Sequence, residues 1–166
     1  MPFKIRRVGH LVLRVKDVAR SRRFFEEVLG FPVVATNERG MVFFSTDVKD
    51  NHHMLALMPP VKEGAQMPTR DQVGMQHVSF ELGSFAELQD AWRLFKEKGV
   101  EINYTVYHGV TKSIYFFDPD GNELEVYCNV PEEEHKKSVP NPYSRYNAIV
   151  DELEGKVGQK EGTVAP

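Results

Sequence analysis

Apolar and polar residues alternate with period two in several stretches of this chain and recur at helical spacing in two others. Near the start, Leu11, Leu13 and Val15 alternate with His10, Val12 and Arg14, so a two-faced strand is expected over about residues 5–15. Val18, Phe24, Phe25, Val28 and Leu29 then fall near helical spacing, and Gly30 can stop that helix. Strands are expected at about 31–36, 41–46 and 52–58. The same order then returns. A strand over His77–Leu82 leads into Ser84-Phe85-Ala86-Glu87, which matches a capping box. Leu88, Ala91, Trp92 and Phe95 form the apolar stripe of the second helix, Gly99 ends it, and strands follow at about 101–106, 112–117 and 123–128.

Each half therefore reads as a βαβββ module. The expected fold class is α+β, with the two modules pairing into one open, U-shaped, barrel-like sheet and the helices outside. Module one covers 1–59, a Pro- and Gly-punctuated linker 60–74 and module two 75–130, together one domain of residues 1–130. The C-terminal tail, 131–166, has three consecutive glutamates, prolines before Tyr143 and a polar end; it reads as a surface segment with a short helix at about 144–154 and mobile last residues.

Strand alternation sorts the side chains. Leu11, Leu13, Val78, Phe80, Leu82, Leu124 and Val126 share the parity that suits the helix side. His10, Arg14, His77, Ser79, Glu81, Glu123, Glu125 and Tyr127 share the other, so the concave side is expected to be polar, as a site requires. Cys128 falls on the helix side and reads as packing.

Composition narrows the classes. A chain of 166 residues with net charge −3 fits one globular domain and gives no ground for a nucleic-acid or bilayer partner. The single cysteine excludes an intrachain disulfide, the N-terminus lacks the apolar core of a signal peptide and no apolar run would span a membrane, so a cytoplasmic location is expected.

The candidate chemistry sits on the polar parity. His10, His77 and Glu125 offer two imidazoles and one carboxylate, the donor set of a non-haem Fe(II) site with open coordination positions. Glu123 shares the face of Glu125, and parity alone does not separate them; an ion pair with Lys or Arg would explain either. His53 occupies roughly the first-half counterpart of Glu123–Glu125, where a symmetric site would want a carboxylate. A histidine near a metal but outside its ligand set suits acid–base work, and an exposed histidine at a strand start is the plain alternative. His52 would point to the opposite face of a regular strand. Tyr115 shares parity with Glu125 across the Asp118-Pro119-Asp120-Gly121 turn, and His108 precedes Gly109 in a loop. Asp118–Asn122 lacks the length and distal glutamate of a calcium loop and reads as a hairpin turn.

Two βαβββ units, each with a histidine near its start, and a glutamate after Asp118-Pro119-Asp120-Gly121-Asn122 resemble the vicinal oxygen chelate superfamily. That superfamily includes glyoxalase I, fosfomycin-resistance thiol transferases, bleomycin-binding proteins and type I extradiol dioxygenases. His52-His53-Met54-Leu55-Ala56-Leu57, His108-Gly109-Val110-Thr111 and the run Lys112–Tyr127 are more narrowly similar to extradiol dioxygenases. The resemblance implies Fe(II), or Mn(II), held by His10, His77 and Glu125 rather than Glu123. It implies His53, Tyr115 and His108 as catalytic residues, and extradiol (meta) ring cleavage of a catechol-type molecule by O2. Well-known members carry two such domains, and this chain resembles their catalytic half. The rivals are a glyoxalase-like isomerase, a thiol transferase or a non-catalytic drug-binding protein of the same fold. Pairing with a second copy would cover exposed sheet edges.

Overall fold

In the computed structural model, the described residues are 2–67, 69, 73–135 and 148–156. They divide into two compact units, Met1–Gln72 and Val73–Pro166. The class is α+β, and each unit has one four-stranded mixed sheet, neither closed into a barrel.

The first unit contains β1 (Leu11–Arg14), α1 (Val18–Glu27), β2 (Val33–Thr36), β3 (Val42–Phe44) and β4 (Leu55–Met58), in sheet order β1-β4-β3-β2. β1 runs parallel to β4, and the other pairs are antiparallel. Asp17 caps α1 by accepting from the Arg20 amide at 3.0 Å. The apolar face of α1 meets the sheet through Phe25, whose ring centroid lies 5.9 Å from Phe44 and 6.3 Å from Phe31. Leu13, Val42, Leu55 and Leu57 complete that core.

The second unit contains β5 (Val78–Leu82), α2 (Phe85–Lys98), β6 (Ile102–Tyr107), β7 (Thr111–Phe117) and β8 (Glu123–Asn129), in order β5-β8-β7-β6, again with one parallel pair, β5 and β8. Ser84 Oγ accepts from the Glu87 amide at 3.2 Å, while Glu87 Oε2 accepts from the Gly83 amide at 2.6 Å. The capping box forms, although its carboxylate returns one residue earlier than the motif specifies. Gly99 ends α2 in the left-handed conformation, with φ of 65°. Leu88, Trp92 and Phe95 pack on the face that bears Ile114, Phe116, Leu124 and Val126, and the rings of Phe95 and Phe116 lie 4.5 Å apart.

Three boundaries differ from the periodicity. The first strand is short: residues 2–10 have no regular structure, so His10 precedes β1 and His77 precedes β5. Instead of a ladder, side chains hold that segment: Arg7 pairs with the Asp50 carboxylate, and Asn51 Nδ2 donates to the Gly9 carbonyl at 2.6 Å. β4 begins at Leu55 and not near residue 52, so His52 and His53 lie in the bend before it. The tail contributes α3 (Glu132–His135) and α4 (Val150–Leu153); of the helix expected at 144–154, positions 144–147 lie outside the described residues and 148–149 are not helical. α4 belongs to the core. Ile149 and Leu153 are fully buried, the Ile149 amide donates to Thr105 Oγ1 at 3.2 Å, and Lys112 pairs with Glu152.

Leu153→Ala should therefore cost about 2–5 kcal/mol in chemical denaturation, as for a buried leucine; a surface tail would show no loss. The Arg20 amide holds the Asp17 carboxyl below its ordinary pKa. A depressed carboxylate stabilises the fold above its unfolded pKa and loses that contribution as the pH falls through the folded one. The melting-temperature advantage of the wild type over Asp17→Ser should thus be present at neutral pH and vanish under acid; a pH-independent difference contradicts it.

Candidate functional site

Sheet register decides which side chains meet. In the second unit Ser79 stands opposite Glu125, Glu125 opposite Tyr115, and Tyr115 opposite Tyr104, a row across all four strands. Directly opposed residues share a face, so this row lies opposite the one covered by α2. Glu125 is 6% exposed and Tyr115 is 4% exposed, which makes both unusual for polar groups on a sheet face. His77, at the foot of β5, leans onto the row, with Nε2 3.3 Å from Glu125 Oε2 and its ring perpendicular to Tyr115 at 5.1 Å. Among the described residues His77 Nδ1 is buried without a hydrogen-bond partner.

The Tyr115 ring is held from several sides. Tyr104 stacks on it at 4.3 Å and 15°, and His108 Nε2 lies 3.3 Å from its hydroxyl. Burial, then the Glu125 charge and a hydrogen bond to Glu125, push the Tyr115 hydroxyl well above the ordinary phenol range. It stays a neutral donor at any physiological pH. Burial also lowers the basicity of His108, against the pull of Glu125, so its imidazole favours the neutral form.

The placement of Tyr104 was hidden in the sequence. The β6–β7 register shifts between Ile102 and Tyr104, so Asn103 is the extra residue of a β-bulge. The bulge moves Tyr104 onto the Tyr115 face, where strict alternation would have put Asn103. β2 carries the same irregularity between Val33 and Ala35, so the two modules repeat even this detail.

In the first unit, Val12 stands opposite Ala56 and Ala56 opposite Phe43. Matching the two registers makes Ala56 the counterpart of Glu125 and Phe43 that of Tyr115. His53, expected at roughly the first-half counterpart of Glu123–Glu125, lies three residues before Ala56, in the bend before β4. There its ring is 4.5 Å from His10 and edge-on to Phe43 at 5.3 Å. His52 does not point to an opposite face, because the backbone is not a strand here; its Nδ1 lies 2.5 Å from His53 Nδ1. Burial, followed by the nearness of His10 and His52, lowers the pKa of His53.

The sequence candidates thus form two groups. His10 and His53 meet in the first unit, and His77, Glu125, Tyr115 and His108 meet in the second. Among the described residues no three His, Cys, Asp or Glu side chains are gathered so that they could hold a metal ion. Glu123 is separated from Glu125 by its partners: Gln76 Nε2 donates to one oxygen at 2.7 Å and Asn103 Nδ2 to the other at 2.6 Å. Among the described residues neither glutamate makes the Lys or Arg ion pair that would explain it as plain surface chemistry; the partners are amides for Glu123 and His77 with Tyr115 for Glu125.

The turn leading into β8 is built as its residues suggested. Asp118 Oδ1 accepts from the Asp120 and Asn122 amides at 2.9 and 2.8 Å, Oδ2 accepts from Asn122 Nδ2 at 2.7 Å, and Gly121 supplies φ of 90°. Burial raises the Asp118 pKa, and these donors oppose the shift.

This fold and constellation define a two-module α+β protein with paired histidines, and comparison with known proteins supplies the family. The chain belongs to the Glyoxalase/Bleomycin resistance protein/Dioxygenase superfamily, whose model matches residues 7–126. It is 35% identical over 130 residues to biphenyl-2,3-diol 1,2-dioxygenase 3 of Rhodococcus globerulus, covering 76% of this chain and 67% of that one. It is 26% identical over 148 residues to catechol-2,3-dioxygenase of Bacillus subtilis strain 168, covering 89% of this chain but only half, 50%, of the relative. A glyoxylase/bleomycin resistance protein/dioxygenase domain from Frankia sp. EAN1pec superposes with a TM-score of 0.67 and 18% identity, over 81% of this chain and 100% of that domain. At that identity the likeness speaks for the fold. Among the described residues no helix is long and apolar enough to cross a membrane.

Asp118→Ala should cost about 1–3 kcal/mol, because it leaves the Asp120 amide without its acceptor. Denaturant unfolding at neutral pH measures this; an unchanged midpoint would mean the turn forms without its carboxylate.

Proposed function

We propose that this protein is an Fe(II)-dependent enzyme that cleaves catechol-type rings with O2 next to one of the two hydroxyls. The observation that carries this reading is the cluster in the second unit: His77 against a buried Glu125, beside a neutral Tyr115 backed by His108. Two relatives named as dioxygenases of biphenyl-2,3-diol and of catechol support it.

The donors suit the metal. A buried carboxylate whose neighbours are an imidazole and a phenol carries negative charge that a cation would offset. The donors are nitrogen and oxygen, and Cys128 is buried on the opposite parity of β8, so the set suits iron or manganese better than a thiolate-bound metal. In the proposed ligand set, His77 and Glu125 are joined by His10. Fe(II) held there supplies Lewis acidity toward the catechol oxygens and an open position for O2.

The protein groups divide the remaining work. His53, its pKa lowered by burial and by His10 and His52, takes a proton at Nε2 or Nδ1 from a catechol hydroxyl and returns it later. Tyr115 donates its hydroxyl hydrogen to the substrate-derived oxygen. His108 and the stacked Tyr104 keep that phenol in place. The first-module counterpart of Glu125 is Ala56, so that half offers no carboxylate for an isomerase-type ligand set.

His53→Ala should retain iron and lose about 10²-fold or more in turnover of catechols, followed by the yellow ring-fission product in air. Wild-type rates would remove His53 from proton transfer. Glu125→Ala should lose iron, measured as metal content after anaerobic reconstitution. Full iron content in that variant would reject the ligand set.

A further inference from the structure

The carboxylate of Glu123 is an acidic group on the site face that the proposed reaction does not use. Both of its oxygens are engaged, at 2.7 Å by Gln76 Nε2 and at 2.6 Å by Asn103 Nδ2. Short bonds from neutral amides to an ionised carboxylate are among the stronger hydrogen bonds a surface can make. Their positions are informative. Gln76 is the residue before His77, in a segment without regular structure, where no ladder bond fixes the backbone. Asn103 is the bulge residue of β6, two strands from β8, and its side-chain amide reaches back across the sheet to Glu123. Glu123 thus ties the approach to β5 and a distortion of β6 to one point on β8, two residues before Glu125.

We propose that Glu123 is a positioning residue: through Gln76 it fixes the segment that presents His77 to Glu125, with Asn103 holding Glu123 itself in place. The alternation of β8 puts Glu123 and Glu125 on one face, and their partners give them different work. Among the described residues Glu125 has an imidazole and a phenol beside it and no amide donor. Glu123 has its oxygens occupied by amides and none left to turn toward His77. Because Gln76 and His77 are adjacent, a loose Gln76 leaves the His77 backbone free to swing, with its Nδ1 making no hydrogen bond that would hold the ring. The tether through Glu123 supplies the restraint that this nitrogen does not.

The inference rests on the reading of His77 as an iron ligand. Its test is an anaerobic Fe(II) titration of the apoprotein against a chromophoric chelator, on the wild type, Glu123→Ala, Gln76→Leu and the double variant. Each single variant should bind one Fe(II) per chain with affinity weakened about 10–100-fold, the range for loss of a group that orients a metal ligand. The double variant should be no weaker than Glu123→Ala alone, because the two residues act through one contact. Gln76 is exposed, so its variant keeps the test valid if Glu123→Ala fails to fold. Unchanged affinity in the single variants overturns the proposal, as do losses that multiply in the double variant. Loss of stoichiometric binding in Glu123→Ala overturns it too, by making Glu123 a ligand. A wild type that takes up no iron overturns the iron reading itself, and the proposal with it; a normal wild-type titration with indifferent variants overturns the proposal alone.

Discussion

The parallel register of β5 on β8 is the constraint from which the second unit's chemistry follows. It sets Ser79 against Glu125 and brings His77, one step below, to the same carboxylate. A slip of one residue would turn Glu125 toward α2 and put Val126 in its place. Apolar packing prevents that slip: Leu124 and Val126 are buried on the helix side with Phe95 and Phe116. The site face can therefore afford a buried carboxylate because the opposite face fixes the strand that bears it. The antiparallel β7 then sets Tyr115 beside Glu125, and the β6 bulge lays Tyr104 over the phenol.

The two modules share a framework and differ in what they place on it. Both have the order β-α-β-β-β, a parallel pair between first and last strand and a bulge in the second strand. At equivalent positions one carries Glu125 and Tyr115 and the other Ala56 and Phe43. The first module brings its polar chemistry from outside the strands: His10 from the segment before β1 and His53 from the bend before β4, joined by side-chain bonds from Arg7 and Asn51. A repeated scaffold has thus been specialised unequally. One half holds a carboxylate and a phenol on rigid strands, while the other holds imidazoles on loops.

Much of this was legible in the chain. The period-two and helical patterns gave both modules, and parity put Glu125 and Tyr115 on the polar face. The flanking motifs singled out His10, His53, His77 and His108. What stayed hidden were effects of register and of side-chain bonding. A bulge reverses parity with one residue, so Tyr104 could not be read as a neighbour of Tyr115. His53 looked like a strand residue because Met54, Leu55, Ala56 and Leu57 follow it, yet the strand starts only at Leu55. The burial of Ile149 and Leu153 was invisible because a polar, proline-bearing segment precedes them and only the folded sheet reveals the surface they cover. The distinct partners of Glu123 and Glu125 lie on other strands or in the segment before β5, beyond any local pattern.

The proposed function requires iron held by imidazole and the Glu125 carboxylate. X-ray absorption at the iron K-edge, on protein reconstituted anaerobically, observes those ligands most directly. The expected spectrum has a shell of only nitrogen and oxygen, with outer-shell scattering from two imidazole rings. A shell containing sulfur, or one without imidazole scattering, would contradict the account.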